Sequence, residues 1–378
     1  MTIADLHRHA HEGRPAFLAL LEELVRIETP TGDRDGAGRL VAHLSRVLEA
    51  DGWSVSTVAR EAVGDVLVAR LAAPSGTSTL LLAHYDTVHP LGTLARHPWR
   101  VDGDRAAGPG ALDMKAGVAA AVLAVRVLRA AGAEPAGPLT LLVTSDEETG
   151  SHHSRALIEE EALRHDRVLV LEPSRDDGAL KLGRKGVADF HLGFEGRAAH
   201  AGLAPETGAS ALIELAHAAL EIASLADTSL GTTVSPTVAR AGHATNVIPD
   251  AGRLSVDVRL PTMAEAERVE AAIRGYAPRD AGVRVHVEGG VNRPPMEATL
   301  GNRALLARAE EVATAWGWSV QSGIVGGGSD GNFTSALGIA TLDGLGALGG
   351  GAHTLDEHVL VSATLDRVAL VAGLVGQP

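Results

Sequence analysis

The chain has 378 residues, and its 33 Lys and Arg face 47 Asp and Glu for a net charge of −14. Apolar residues at 45% and charged residues at 21% describe a globular protein of about two or three domains, and the acidic balance with 3% aromatics argues against nucleic-acid binding. Cysteine is absent, which excludes disulfides, thiol nucleophiles and cysteine metal sites, and no apolar run approaches the ~18 residues of a membrane span.

Residues 1–15 are polar and His-rich, without the basic start and apolar core of a signal peptide, so a cytoplasmic setting is expected. His7, His9 and His11 read as a frayed end rather than as metal ligands. Phe17, Leu20, Leu21, Leu24 and Val25 fit one helical stripe, and Leu40, Val41, Leu44, Val47 and Leu48 fit a second. Three strand-like runs follow at 80–83, 139–143 and 168–171, with a long Ala/Val helix over 116–131 between the first two. Strands apolar on both faces and separated by helices predict a largely parallel, covered sheet in an α/β protein.

The pattern changes after 180. Phe190, Leu192 and Phe194 alternate with Asp189, His191 and Glu195, as in a half-exposed strand. A helix over about 209–225, strands over 232–238 and 254–260, a helix over 264–276 and a last alternating run at Val283, Val285 and Val287 complete β-α-β-β-α-β, the ferredoxin-like order. The expectation is a compact domain, 180–289, inserted into a larger α/β domain made of 1–179 and 290–378.

Three apolar runs lead directly into chemistry-bearing residues. The first ends in His84-Tyr85-Asp86-Thr87, the second in Ser145-Asp146-Glu147-Glu148 and the third in Glu172. Sites in open α/β sheets form at the carboxyl ends of strands, so these side chains should converge. Asp113, in a glycine-rich loop before the long helix, and His353, after Gly350-Gly351-Ala352, add two further donors. Imidazoles and carboxylates without thiolates suit zinc or another first-row divalent ion. One catalytic metal takes about three protein ligands. Five candidates remain when one carboxylate is reserved as a base, which suits two ions sharing a carboxylate. Singly, each acid is equally a helix cap or a loop-end carboxylate; it is the series at consecutive strand ends that argues for a site.

Six motifs stand in order: His84-Tyr85-Asp86-Thr87-Val88, the segment 108–117 around Asp113, Asp146-Glu147-Glu148-Thr149-Gly150, Ala198-Ala199-His200-Ala201-Gly202, Thr245-Asn246-Val247-Ile248-Pro249 and Gly327-Gly328-Ser329-Asp330. Through them essentially the whole chain resembles the dinuclear-zinc aminoacylase and carboxypeptidase family, which includes glutamate carboxypeptidase, succinyl-diaminopimelate desuccinylase and acetylornithine deacetylase. The resemblance implies a mostly parallel-sheet zinc-hydrolase domain carrying a ferredoxin-like lid and dimerisation domain. It implies two Zn2+ per chain, with Co2+ or Mn2+ as substitutes. Asp113 would bridge both ions, His84 and Glu172 would complete one, and Glu148 and His353 the other. Glu147 would be the general base, and Asp86 joins the catalytic set by accepting from the His84 imidazole. The family often has a cis peptide after the bridging Asp, here Asp113–Met114.

The same resemblance has His200 reach across a homodimer to polarise the scissile carbonyl, with Asn246 acting in trans near the substrate carboxylate; the plainer reading of Asn246 is a turn residue. Arg293 resembles the arginine that binds a terminal carboxylate, against the plain reading of a solvated loop arginine. Gly328 and Ser329 lie in the glycine-rich segment 326–331, which lacks a P-loop ending and reads as a close backbone approach to substrate. Arg184-Lys185 could help hold an anionic substrate, and His152 and His153 read as surface residues. The expected activity is glutamate-carboxypeptidase-like cleavage of an amide next to a free carboxylate. An N-acyl-amino-acid amidohydrolase (deacetylase or desuccinylase) would share the mechanism. A non-catalytic binding protein on this fold would be expected to lose ligands or base, whereas all six are present here. The His-Glu-x-x-His of a mononuclear metalloprotease does not occur.

Overall fold

The computed structural model describes residues 3–377. The elements that matter here are, in chain order, α1 (Ile3–Glu12), α2 (Arg14–Val25), α3 (Arg34–Ala50), β1 (Ser54–Val58), β2 (Val66–Leu71), β3 (Thr79–His84), α4 (Ala116–Ala130), β4 (Leu139–Thr144), α5 (Arg155–Ala162), β5 (Arg167–Val170), β6 (Gly186–Glu195), α6 (Ala211–Ala223), β7 (Thr233–Ala241), β8 (Ala251–Leu260), α7 (Met263–Arg274), β9 (Arg284–Arg293), α8 (Leu300–Thr314), β10 (Ala340–Leu342) and α9 (Val361–Val375). They fall into two compact units. The first comprises the chain up to Gly183 with Ala298–Ile324 and the segment from Ser329 onward; the second comprises Arg184–Glu297 with Val325–Gly328. The boundaries expected at 180 and 289 compare with 184 and 297, and the short return of 325–328 carries no signal in the sequence. No described helix is long and apolar enough to cross a membrane.

The first unit is built on a six-stranded sheet in the order β1-β2-β4-β3-β5-β10. β4, β3, β5 and β10 run parallel, whereas β1 and β2 form an antiparallel edge. The edge hairpin escapes a reading by apolar runs, because β1 is largely exposed. The central strands are covered on both faces. Leu81 and Ala83 join the core shared with α4, while Leu80 and Leu82 pack with Ile158 of α5 and Phe333. The stripe Phe17, Leu20, Leu21, Leu24 and Val25 is buried on α2, and Leu40, Val41, Leu44 and Leu48 are buried on α3. The N-terminal segment is not frayed: α1 buries Leu6 and Ala10 and packs against α9 and α4. Its apolar residues are too few to have shown this by periodicity.

The second unit is a four-stranded antiparallel sheet in the order β7-β8-β6-β9, with α6 and α7, which is the ferredoxin-like arrangement. Ala188, Phe190, Leu192 and Phe194 of β6 alternate into a core with Leu215 and Ile222 of α6 and Val269 and Ile273 of α7. Leu212, Ile213 and Leu220 of α6 are exposed.

Candidate metal centre

Parallel pairing sets the carboxyl ends of β4, β3 and β5 side by side: His84 is opposite Thr144, and Leu82 is opposite Val170. Glu147 and Glu148 follow β4 in a short turn, and Glu172 follows β5. Asp113 arrives from the loop before α4. There Gly110 has φ 70°, and a Cβ would stand 2.4 Å from Thr87 Cγ2, so only glycine fits. Gly117, on the first turn of α4, would place a Cβ 2.1 Å from the Leu171 carbonyl oxygen. The Asp113–Met114 peptide is cis.

These residues meet. His84 Nε2 lies 3.2 Å from Asp113 Oδ1 and 3.4 Å from Glu172 Oε1. His353 Nε2 lies 3.2 Å from Asp113 Oδ2 and 3.2 Å from Glu148 Oε2. The two oxygens of Asp113 thus face two different imidazoles. Donor atoms of His84, Asp113 and Glu148 lie within 4.8 Å of one another, as do those of His84, Glu147 and Glu172. His353 is a non-glycine residue at φ 64°, a placement held by its surroundings and characteristic of functional sites; its side chain is 53% exposed.

The electrostatics call for a cation. Burial opposes protonation of His84, but hydrogen bonds to Asp113, Asp86 and Glu172 outweigh it and raise its pKa well above the ordinary value. Hydrogen bonds to Asp113 and Glu148 push His353 up to about 10. Burial opposes ionisation of Asp113, yet its two histidines hold it well below the carboxylate range. Burial raises Glu148, against its bond to His353. Glu148 Oε1 is buried without a hydrogen-bond partner among the described residues. Several carboxylates around two imidazoles, one oxygen of them orphaned, fit the donor set of a divalent metal site.

Support comes from residues with no sequence signal. The carboxylate of Glu357, 2% exposed, accepts from the amides of Gly110 (2.9 Å), Leu112 (2.7 Å) and Asp113 (3.0 Å), with His89 Nε2 2.6 Å away. It fixes the loop that carries Asp113. Asp86 differs in detail from expectation. His84 Nδ1 is nearer the backbone oxygen of Asp86 (3.0 Å) than its carboxylate (3.3 Å). That carboxylate accepts from the amides of Glu147 (3.1 Å) and Glu148 (3.2 Å) and from the Thr31 hydroxyl (2.7 Å), so it anchors the acidic turn. Asp146 accepts from Ser154 and the His153 amide, and Asp330 from Thr144 and Ser151.

The remaining sequence-predicted residues are placed as follows. His200 is exposed in the second unit, and its Nδ1 accepts from the amides of Gly202 (3.1 Å) and Leu203 (3.2 Å), leaving Nε2 as the N–H. Asn246 is an exposed turn residue whose carbonyl accepts from the Ala201 amide. Arg293 is not a solvated loop residue: it ends β9 at 4% exposure, and a Cβ on Gly328 would stand 2.9 Å from its Cδ. Arg184, considered for substrate, is buried and donates to the carbonyls of Gly327 and Gly328. Ser329 is fully buried, and its hydroxyl donates to Asp343 (2.6 Å) and accepts from the Gly331 amide, so that hydroxyl holds the turn in place. His152 and His153 are exposed.

The sequence model of Peptidase family M20/M25/M40 matches residues 80–377. The chain belongs to this family. Carboxypeptidase G2 of Pseudomonas sp. (strain RS-16) is 36% identical over 385 residues, covering 98% of this chain and 91% of the relative. Succinyl-diaminopimelate desuccinylase of Methylobacterium sp. (strain 4-46) is 31% identical over 94% of each chain. The crystal structure of aminopeptidase PepT from Bacillus cereus superposes with a TM-score of 0.81 at 23% identity, covering 96% of this chain and 98% of that one, and so shares the fold. This family member is a metal-dependent hydrolase of amide bonds.

Proposed function

We propose that the chain is a dinuclear-zinc exopeptidase that cleaves an amide next to a free carboxylate, in the manner of a carboxypeptidase. The observation that carries the reading is Asp113, whose two oxygens each face a separate imidazole at 3.2 Å. His84 and Glu172 would hold one ion, Glu148 and His353 the other, and Asp113 both. Divalent ions there supply Lewis acidity toward the scissile carbonyl and the attacking water. Glu147, tethered through its amide to Asp86, accepts a proton from that water and delivers it to the departing nitrogen. Asp86 keeps the acidic turn in register. His200, with Nε2 as donor, serves the carbonyl oxygen from a second chain, and Arg293, Asn246 and Gly328 serve the substrate carboxylate. The exposed Leu212, Ile213 and Leu220 support a homodimer formed through the second unit, in the cytoplasm.

Two measurements test this. Metal analysis of loaded protein should give two ions at this centre; one or fewer overturns the dinuclear assignment. A screen of N-acyl amino acids and dipeptides should show turnover of peptides that carry a free C-terminal carboxylate. Turnover of N-acetyl or N-succinyl substrates alone, which the desuccinylase similarity makes the second reading, would overturn the exopeptidase assignment. A fully active monomer in sedimentation would remove His200 and Asn246 from the site.

A further inference from the structure

We propose that His7, His11 and Asp366 form a separate site for a first-row divalent cation, clamping α1 onto α9. The site shares no residue with the candidate centre and does not depend on how many ions that centre holds. His7 and His11 are four residues apart on α1 and therefore lie on one face. Their Nε2 atoms stand 2.9 and 2.8 Å from the same oxygen of Asp366, on α9. The rings are 4.5 Å apart at 48°. Three donor atoms from two elements thus converge on one point, within 4.8 Å of one another.

The geometry needs little adjustment. Metal–ligand bonds of about 2.0–2.1 Å in a tetrahedral shell put neighbouring donors roughly 3.3 Å apart. The present contacts are shorter by about half an ångström, and the three side chains are 30–36% exposed and able to open by that much. Their anchorage is rigid: Leu6 and Ala10 bury the adjoining face of α1, and Leu365 and Arg367 flank Asp366 in the core. Arg367 does not compete for the carboxylate, because its guanidinium donates to the Gly178 carbonyl and lies 4.7 Å over the Trp318 ring. Two imidazoles and one carboxylate suit Zn2+, Ni2+ or Cu2+, with water completing the shell. One carboxylate oxygen shared by two rings requires both to present Nε2–H. A cation takes the place of both donors, and each ring then carries its proton on Nδ1.

The alternative is that these bonds merely fasten two helices. The structure supplies a reporter: Trp316 stacks on His7 at 5.5 Å and 25°. Untagged, zinc-loaded protein and its His7→Gln/His11→Gln variant would be equilibrated with Cu2+ or Ni2+, dialysed and analysed for metal. Wild type should retain one more ion per chain than the variant, whatever the total. Cu2+ should quench tryptophan emission in wild type; this quenching should be lost in the variant and reduced in Trp316→Phe, where Trp318, 6.0 Å from the Trp316 ring, remains, with the activity of the zinc-loaded proteins unchanged by these substitutions. Asp366→Asn, which keeps an acceptor but removes the charge, should weaken Cu2+ binding about tenfold or more. Equal metal content in wild type and variant, or unaltered affinity in Asp366→Asn, would overturn the three-donor site.

Discussion

Glu357 offers the sharpest test of how the centre is held. Its carboxylate is buried and accepts from three loop amides, one of them that of Asp113. In Glu357→Gln the amide oxygen can replace Oε1 and keep Leu112 and Asp113, but as neutral acceptor rather than charged. That exchange costs about 1 kcal/mol per bond, the difference between charged and neutral hydrogen bonds. The side-chain NH2 then faces the Gly110 amide donor to donor, leaving a buried N–H unsatisfied at about 1–3 kcal/mol. His89 can answer by changing tautomer. The sum is about 3–5 kcal/mol. All four tryptophans, Trp53, Trp99, Trp316 and Trp318, lie in the first unit, so urea unfolding followed by their fluorescence reads this loss directly in chelated protein. The loosened Asp113 should cost metal affinity about 10- to 100-fold, as for other residues that orient a ligand. A variant with an unshifted midpoint and wild-type metal affinity would refute the cradle.

Glu147→Gln should abolish turnover, by about 10²–10⁴-fold or more, while metal content stays near wild type; Glu148→Gln should lose metal first, and the reverse pattern in metal analysis would exchange the two roles. Burial opposes ionisation of Glu214, but the Tyr276 hydroxyl and the Arg279 and Asp280 amides hold its carboxyl below the usual range. A depressed folded-state pKa contributes stability that is present above the unfolded value near ~4.3 and is lost as pH falls through the folded one. Glu214→Gln should therefore be less stable at neutral pH and lose less on acidification, read by circular dichroism. Gly117→Ala drives a methyl onto the Leu171 carbonyl and should cost about 1–3 kcal/mol or more, seen as a lowered unfolding midpoint; wild-type stability would refute the close approach.

Much of this was legible because strand ends and glycines leave local marks. The apolar runs within β3, β4 and β5, each leading within a few residues into His or acid, mark in the sequence where donors converge. The alternation in β6 and β8 exposed the ferredoxin-like unit in the same way. The support was not legible. Glu357 sits in a polar loop and looks solvated, since its burial depends on amides more than 240 residues earlier. Ser329 sits in a glycine-rich stretch, and nothing in that stretch announces that its hydroxyl is tied to Asp343, 14 residues on. The packing of α1 was hidden for a related reason: its partner, α9, comes at the far end of the sequence and leaves no trace in local periodicity.

The discontinuity of the first unit sets an order on biosynthesis. Its sheet lacks β10, and its donor set lacks His353, until residues beyond 340 have left the ribosome. The strands and helices of the second unit, by contrast, are complete by residue 293. Translation at about 5–20 residues per second therefore leaves β1 to β5 waiting several seconds or more with an open parallel edge at β5. During that interval the nascent chain is exposed to mispairing, and a metal ion offered then would meet a set of ligands still without His353.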